Sequence, residues 1–274
     1  RKKSGDASLP GTIHATAEHG YLDALQADLE SALPMIWGRS VQTVFIGGGT
    51  PSLFSPAAIE ALLAMLRARL RLAPDAEITM EANPGTFETG RFRGFAQAGV
   101  TRLSIGVQSF DDALLAAVGR VHDGDQARRA ADEAARHFAT FNLDLMYALP
   151  GQTPQMLACD LRTALSFAPP HLSCYQLTLE PGTPFAKRPP ALPDEDVAAD
   201  MQAMIEQATA SAGLAHYEVS AYAKAGHRSR HNLNYWTFGD YLGIGAGAHG
   251  KLSFHDRIVR EARVRHPQRY VERA

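Results

Sequence analysis

The groups able to do chemistry in this 274-residue chain sit mostly where apolar runs end. Glu81 closes Glu77-Ile78-Thr79-Met80-Glu81-Ala82, Gln108 closes Leu103-Ser104-Ile105-Gly106-Val107-Gln108, and Asp144 interrupts Phe141-Asn142-Leu143-Asp144-Leu145-Met146-Tyr147. A carboxylate in an apolar stretch is costly unless something pairs with it. One reading is an ion pair with Arg102 or Arg120. The other is recognition of a polar ligand whose amine or ribose hydroxyls need acceptors. Gln108 offers both a donor and an acceptor, and Arg120 can clamp a carboxylate with two parallel hydrogen bonds. Gly47-Gly48-Gly49-Thr50 follows Val44-Phe45-Ile46. Such a turn is either a plain strand-to-helix connection or a cradle whose amides favour an anionic group. The whole set suits a zwitterionic amino acid joined to a nucleoside.

Two histidines stand out, His231 in Arg230-His231-Asn232-Leu233-Asn234-Tyr235-Trp236 and His249 in Gly247-Ala248-His249-Gly250. Each is read either as a structural residue or as an axial ligand to a flat macrocycle, the latter favoured by neighbouring aromatics. The cysteines, Cys159 and Cys174, are too few for a disulfide framework and too far apart for a local metal pair. Both fall in apolar patterns and read as ordinary buried thiols. There is no nucleophile triad order, phosphate loop or zinc helix motif, so no residue is assigned a catalytic or metal-ligating role.

Alternating strands and helical runs position these groups. Helices are expected over 20–33 (ending at Pro34), 56–70 (Ser55 as cap), 88–98, 111–118, 124–137 and 154–166, with strands over 43–46, 77–82, 103–108, 141–147 and 172–177. Five strand–helix units predict a parallel α/β sheet or barrel, and polar residues at strand C-termini favour the barrel. The expected organisation is a flexible segment 1–18, a β/α region 19–185 and a C-terminal region 186–274. That last region opens on helix 194–212 and a short strand 217–219. It continues as a Gly-, His- and aromatic-rich loop bearing a site, and its last twenty residues carry no expected element.

A net charge of −2 gives no electrostatic case for nucleic acid. No apolar run reaches the ~20 residues that span a bilayer. The N-terminus is basic without an apolar segment after it and does not read as a secretory signal, and the two unpaired cysteines lead to the expectation of a cytoplasmic location.

Several motifs occur together and in order: Phe45-Ile46-Gly47-Gly48-Gly49-Thr50-Pro51-Ser52, Glu81-Ala82-Asn83-Pro84, Ser104-Ile105-Gly106-Val107-Gln108-Ser109-Phe110, Gly119-Arg120-Val121-His122, Asp144 through Gln152, and His231 through Trp236. The chain resembles the radical S-adenosylmethionine proteins related to oxygen-independent coproporphyrinogen III oxidase, and more closely their heme chaperone branch. The resemblance implies a partial (β/α)6 barrel with a small C-terminal region, here lacking the first strand and truncated at the C-terminal end. It implies that Gly48, Gly49 and Thr50 hold the methionine end of S-adenosylmethionine. Glu81, Gln108, Arg120 and Asp144 would contact its amino acid and ribose parts, and His231 would belong to a heme-binding element. The implied function is binding heme and passing it to an acceptor protein. The alternatives are oxidative decarboxylation of coproporphyrinogen III and an inactive fragment. The family's Cys-x-x-x-Cys-x-x-Cys loop, which holds a [4Fe–4S] cluster, does not occur in this sequence, so no radical chemistry is expected of the chain as it stands.

Overall fold

Apolar residues at every second position build the strands, and apolar residues three and four apart build the helices that cover them. The computed structural model describes residues 15–85 and 89–274. They form two compact units, each assembled from separated pieces of chain. One contains Ile46–Ser52 and Ile78–Arg228, and the other contains 15–45, Leu53–Glu77 and Ser229–Ala274.

The elements run α1 (Ala15–Ile36), β1 (Ser40–Ile46), α2 (Pro56–Arg69), β2 (Arg71–Ala82), α3 (Phe92–Ala98), β3 (Arg102–Gln108), α4 (Asp112–Ala117), α5 (Gly124–His137), β4 (Thr140–Tyr147), α6 (Pro154–Ser166) and β5 (His171–Gln176). After these come α7 (Pro184–Lys187), α8 (Glu195–Ser211), β6 (Ala215–Glu218), β7 (Ala221–Ala223), α9 (Arg230–Trp236), β8 (His249–Ser253), β9 (Ile258–Ala262) and α10 (Pro267–Val271). Seven strands form one sheet in the order β1-β2-β3-β4-β5-β7-β6. β2 to β5 pair in parallel, as the strand–helix rhythm predicts. The edge differs from that expectation: β7 runs antiparallel to β5, and β6 antiparallel to β7. Only Val219 and Ser220 separate β6 from β7, too few for the crossover that a parallel pair requires.

In the first unit the two faces of the sheet have opposite chemistry. Leu103, Ile105 and Val107 of β3 and Leu143 and Leu145 of β4 alternate onto one face and are almost wholly buried. Helix α5, which contacts both strands, presents a buried stripe of Ala127, Ala130, Ala131 and Ala134. These small residues allow close approach, and each buried leucine or isoleucine contributes about 1.5–3 kcal/mol. On the other face lie Thr79 and Glu81, then Arg102, Ser104 and Gln108, then Asn142 and Asp144, then His171 and Ser173. The register sets Glu81 beside Ser104, Ser104 beside Asn142, and Asp144 beside Ser173. The inner face is therefore polar.

The second unit departs further from the sequence expectations. Helix α1 begins at Ala15, inside the stretch expected to be flexible, and residues 1–14 lie outside the described part. Its Glu18 is buried and accepts from the Ser55 amide at 2.7 Å and the Ser55 hydroxyl at 2.8 Å, while that hydroxyl also caps α2 as expected. Pro34 does not end α1. The helix runs two residues past it, because a proline in the last turn removes a single hydrogen bond. The expected start of the third helix, at Glu88, also lies outside the described residues.

The segment expected to be a site-bearing loop is instead organised as helix α9 and the hairpin β8–β9, and α10 follows within the last twenty residues. Asp240 holds this hairpin. It is ion-paired with Arg39 and with Lys251 Nζ at 3.1 Å, and it accepts from the Ser253 amide at 2.9 Å and the Ser253 hydroxyl at 2.8 Å. Burial alone would raise its pKa. The Ser253, Arg39 and Lys251 donors outweigh that and hold it far below the usual carboxylate range. Asp28 of α1 is also buried and takes hydrogen bonds from Arg263, Tyr270 and the Gly245 amide.

Candidate functional site

The C-terminal ends of β2, β3 and β4 surround a cavity of about 210 Å³ in the first unit. Gly49, Thr50, Glu81, Gln108, Arg120 and Asp144, each singled out in the sequence, line it together. So do Ser52, Asn83, Ser104 and Gly106, whose contribution was not read from the sequence. Their signal was present as strand alternation: Asn83 lies two residues beyond Glu81, and Ser104 and Gly106 share the face of Gln108.

Gly48 and Gly49 adopt φ of 81° and 61°, which an L side chain takes only under strain. The turn is not simply a set of amides awaiting an anion. The Gly48 amide donates to Glu81 Oε2 at 3.0 Å, so a carboxylate of the protein supplies that partner. Gln108 and Ala148 take left-handed φ of 67° and 55° at or just past the ends of β3 and β4. Non-glycine residues in this region cost about 1–3 kcal/mol and cluster at ligand sites.

Arg120 is carried on the loop after α4. The buried His122 pins that loop by donating from Nε2 to the Val107 carbonyl at 3.0 Å. Burial keeps the His122 pKa below its ordinary value. Burial also lowers the Arg120 pKa, against the opposing attraction of Asp144. Asp144 accepts from Asn142 Nδ2 at 2.7 Å and from Ser104 Oγ at 3.2 Å. Burial pushes its pKa up to about 6, against hydrogen bonds from Asn142, Ser173 and Ser104 that lower it. Arg102 stands at the opposite end of β3 and donates to the His227 carbonyl, so the ion-pair reading with Asp144 does not apply to it. The cavity thus presents acceptors from Glu81 and Asp144, a cation from Arg120 and an amide from Gln108.

His231 belongs to the second unit. Its ring stacks on Phe45 with centroids 4.3 Å apart and meets Tyr235 edge-on at 5.0 Å. Burial lowers its pKa to about 4, which leaves the imidazole neutral near pH 7. Neither ring nitrogen has a hydrogen-bond partner among the described residues. Glu77 anchors the start of α9 by accepting from the Arg230 and His231 amides at 3.1 and 3.3 Å. His249 is exposed at the start of β8. Cys174 is buried as expected, but Cys159 is exposed. Leu157, Leu161 and Ala164 form the buried stripe of α6 and leave position 159 outside it.

A parallel β/α sheet whose strand ends gather a glycine turn, two acids and an arginine around one cavity defines a barrel of radical SAM type, and residues 18–163 match the Radical SAM superfamily. The heme chaperone HemW of Escherichia coli (strain K12) is 52% identical over 254 residues, covering 92% of this chain and 67% of that protein. HemW of Haemophilus influenzae is 49% identical, covering 91% and 66%, and HemW of Bacillus subtilis is 37% identical, covering 90% and 66%. The chain belongs to the radical SAM superfamily and, within it, to the family of the heme chaperone HemW. It spans about two thirds of the length of these relatives. Among solved structures, the coproporphyrinogen III oxidase HemN of Escherichia coli, a radical SAM enzyme, superposes with a TM-score of 0.78 at 25% identity, covering 96% of this chain and 63% of HemN. Among the described residues, no helix is long and apolar enough to cross a membrane.

Proposed function

We propose that this chain handles heme: it binds heme through His231 and passes it to an acceptor protein, while the polar cavity of its other unit binds S-adenosylmethionine. The observation that carries the heme reading is the state of His231. A neutral imidazole with uncommitted nitrogens, held by Phe45 and Tyr235, is chemically suited to ligate iron. The relatives named heme chaperones support the same reading.

In the cavity, the Gly48, Gly49 and Thr50 turn would hold the methionine end of S-adenosylmethionine. Glu81 would take its ammonium, Arg120 its carboxylate, and Asp144 and Gln108 the ribose and adjoining polar atoms. The chemistry of the lining suits this zwitterion with a sugar: Glu81 and Asp144 offer acceptors for amine and hydroxyl hydrogens, and Arg120 offers a cation for a carboxylate. A [4Fe–4S] cluster does not fit the residues present. It needs three thiolates at one place, and this sequence has two cysteines, one exposed on α6 and one buried in β5. The relatives of 37–52% identity are heme chaperones, which favours that reading over decarboxylation of coproporphyrinogen III.

Adding hemin to the purified chain should produce a saturable Soret shift that His231→Ala abolishes. An unchanged spectrum in that variant would remove His231 from the site. Calorimetric titration with S-adenosylmethionine tests the cavity separately: saturable binding lost in Glu81→Ala supports it, and absence of binding by the wild type refutes it.

A further inference from the structure

Beneath the cavity, a line of hydrogen bonds leads away from Asp144 into the interior of the first unit. Asn142 Oδ1 accepts from His171 Nδ1 at 2.6 Å and from Ser173 Oγ at 3.1 Å. With its oxygen committed, Asn142 Nδ2 points its two hydrogens at Asp144 Oδ1, 2.7 Å away, and Ser104 Oγ, 2.9 Å away. Ser104 in turn donates to Asp144 Oδ2 at 3.2 Å. On its far side His171 Nε2 accepts from the Tyr217 hydroxyl at 2.7 Å. Tyr217 is itself held by Arg228, whose guanidinium lies 5.6 Å from the ring centroid.

One proton order satisfies the whole line. Tyr217 donates to Nε2, Nδ1–H donates to Asn142, and Asn142 donates to Asp144. The opposite amide orientation would set Asn142 Oδ1 against a carboxylate oxygen at 2.7 Å, with no hydrogen between them. Such an unmatched buried polar group costs about 1–3 kcal/mol. His171 is 2% exposed, and burial drives its pKa far down, so it stays neutral with a single tautomer.

The consequence falls on Asp144. Asn142 donates to one carboxylate oxygen and Ser104 to the other, while Ser173, whose hydroxyl donates to Asn142 Oδ1, lies beside the group. The remaining lone pairs are the ones able to accept from a ligand, and two neighbouring oxygens match a vicinal diol. We propose that His171 is a positioning residue of the cavity: by fixing the Asn142 amide it holds Asp144 as an acceptor pair that selects adenosyl ligands with an intact ribose diol. This rests on the reading of the cavity as an S-adenosylmethionine site.

The test is calorimetric titration of the full chain with S-adenosylhomocysteine and with its 2′,3′-dideoxy analogue. The wild type should prefer the diol by about tenfold or more, the worth of one to two hydrogen bonds to a charged acceptor. His171→Leu should cut that preference to about twofold, and His171→Asn, whose amide nitrogen stands in for Nδ1, should restore it. Tyr217→Phe, which removes a single oxygen, should lower the preference to an intermediate value and serves if His171→Leu does not fold. A preference unchanged in His171→Leu and Tyr217→Phe, or lost equally in His171→Asn, overturns the inference while leaving the cavity assignment intact. Failure of the wild type to bind either ligand overturns the cavity assignment and this inference together.

Discussion

The two candidate sites are built on opposite principles. The cavity of the first unit is walled by polar groups that the sheet turns inward, and its central acid is destabilised by burial. The region around His231 is aromatic instead. Tyr235 and Trp236 are exposed on the same short helix, and Phe45, which stacks on the His231 ring, is exposed too. In the first region charged and polar groups are held in place around a cavity. In the second, burial disfavours the charged form of His231 and leaves an uncharged imidazole among flat rings. Burial acts in both, raising the pKa of Asp144 and lowering that of His231, and in each case it favours the neutral form.

The largest effect that would break this contrast is expected from Asp144→Asn. Losing the charged acceptor should weaken S-adenosylmethionine binding about 30- to 100-fold, with the hemin titration unchanged. The same variant should melt higher at pH 7. A folded-state pKa raised to about 6 means that the folded protein binds the extra proton, so stability falls as pH rises from about 4 to 6 and the burial cost is fully present above that window. Removing the charge should recover about 1–2 kcal/mol, and a melting point that drops instead would show that Asp144 is structural.

Next, Asp240→Asn should destabilise the second unit by about 2 kcal/mol through loss of charge-assisted bonds to Arg39, Lys251 and Ser253. Denaturant unfolding with a probe at Trp236 reads it. A smaller effect concerns pH. An ordinary histidine would be about nine-tenths protonated at pH 5.5 and would lose iron accordingly. With its pKa lowered to about 4, His231 should keep hemin affinity at pH 5.5 within about twofold of its value at pH 7, and a midpoint near pH 6.5 would contradict the structure. Smallest is Ala148→Gly, which should relieve a left-handed alanine and stabilise the first unit by about 1 kcal/mol in thermal melts.

Much of the cavity could be read from the chain because strands advertise their two faces. A polar residue at every second position of an apolar run, as at Glu81, Gln108 and Asp144, has few structural explanations. The supporting residues were harder to see. Asn142 and His171 are remote in sequence and meet only because β4 and β5 pair in register. The α9–β8–β9 region gives no such signal, because its elements are short and its apolar positions follow neither period for long. Its order comes instead from Asp240, whose partners Arg39, Lys251 and Ser253 show no local pattern. Pro34 misled for a related reason, since a helix end is decided by what packs beyond it.

The contacts of Asp28 set a timetable. Its partner Tyr270 lies 242 residues further along, and Arg263 lies 235 residues further. During synthesis α1 emerges first among the described elements, yet its Asp28 carboxylate meets Arg263 and Tyr270 only after the elements from β1 to β9 have been made. The Ile78–Arg228 segment can meanwhile pair its own neighbouring strands. Such long-range closure is slow, so the segment that carries the cavity is expected to assemble before α10 reaches back to α1.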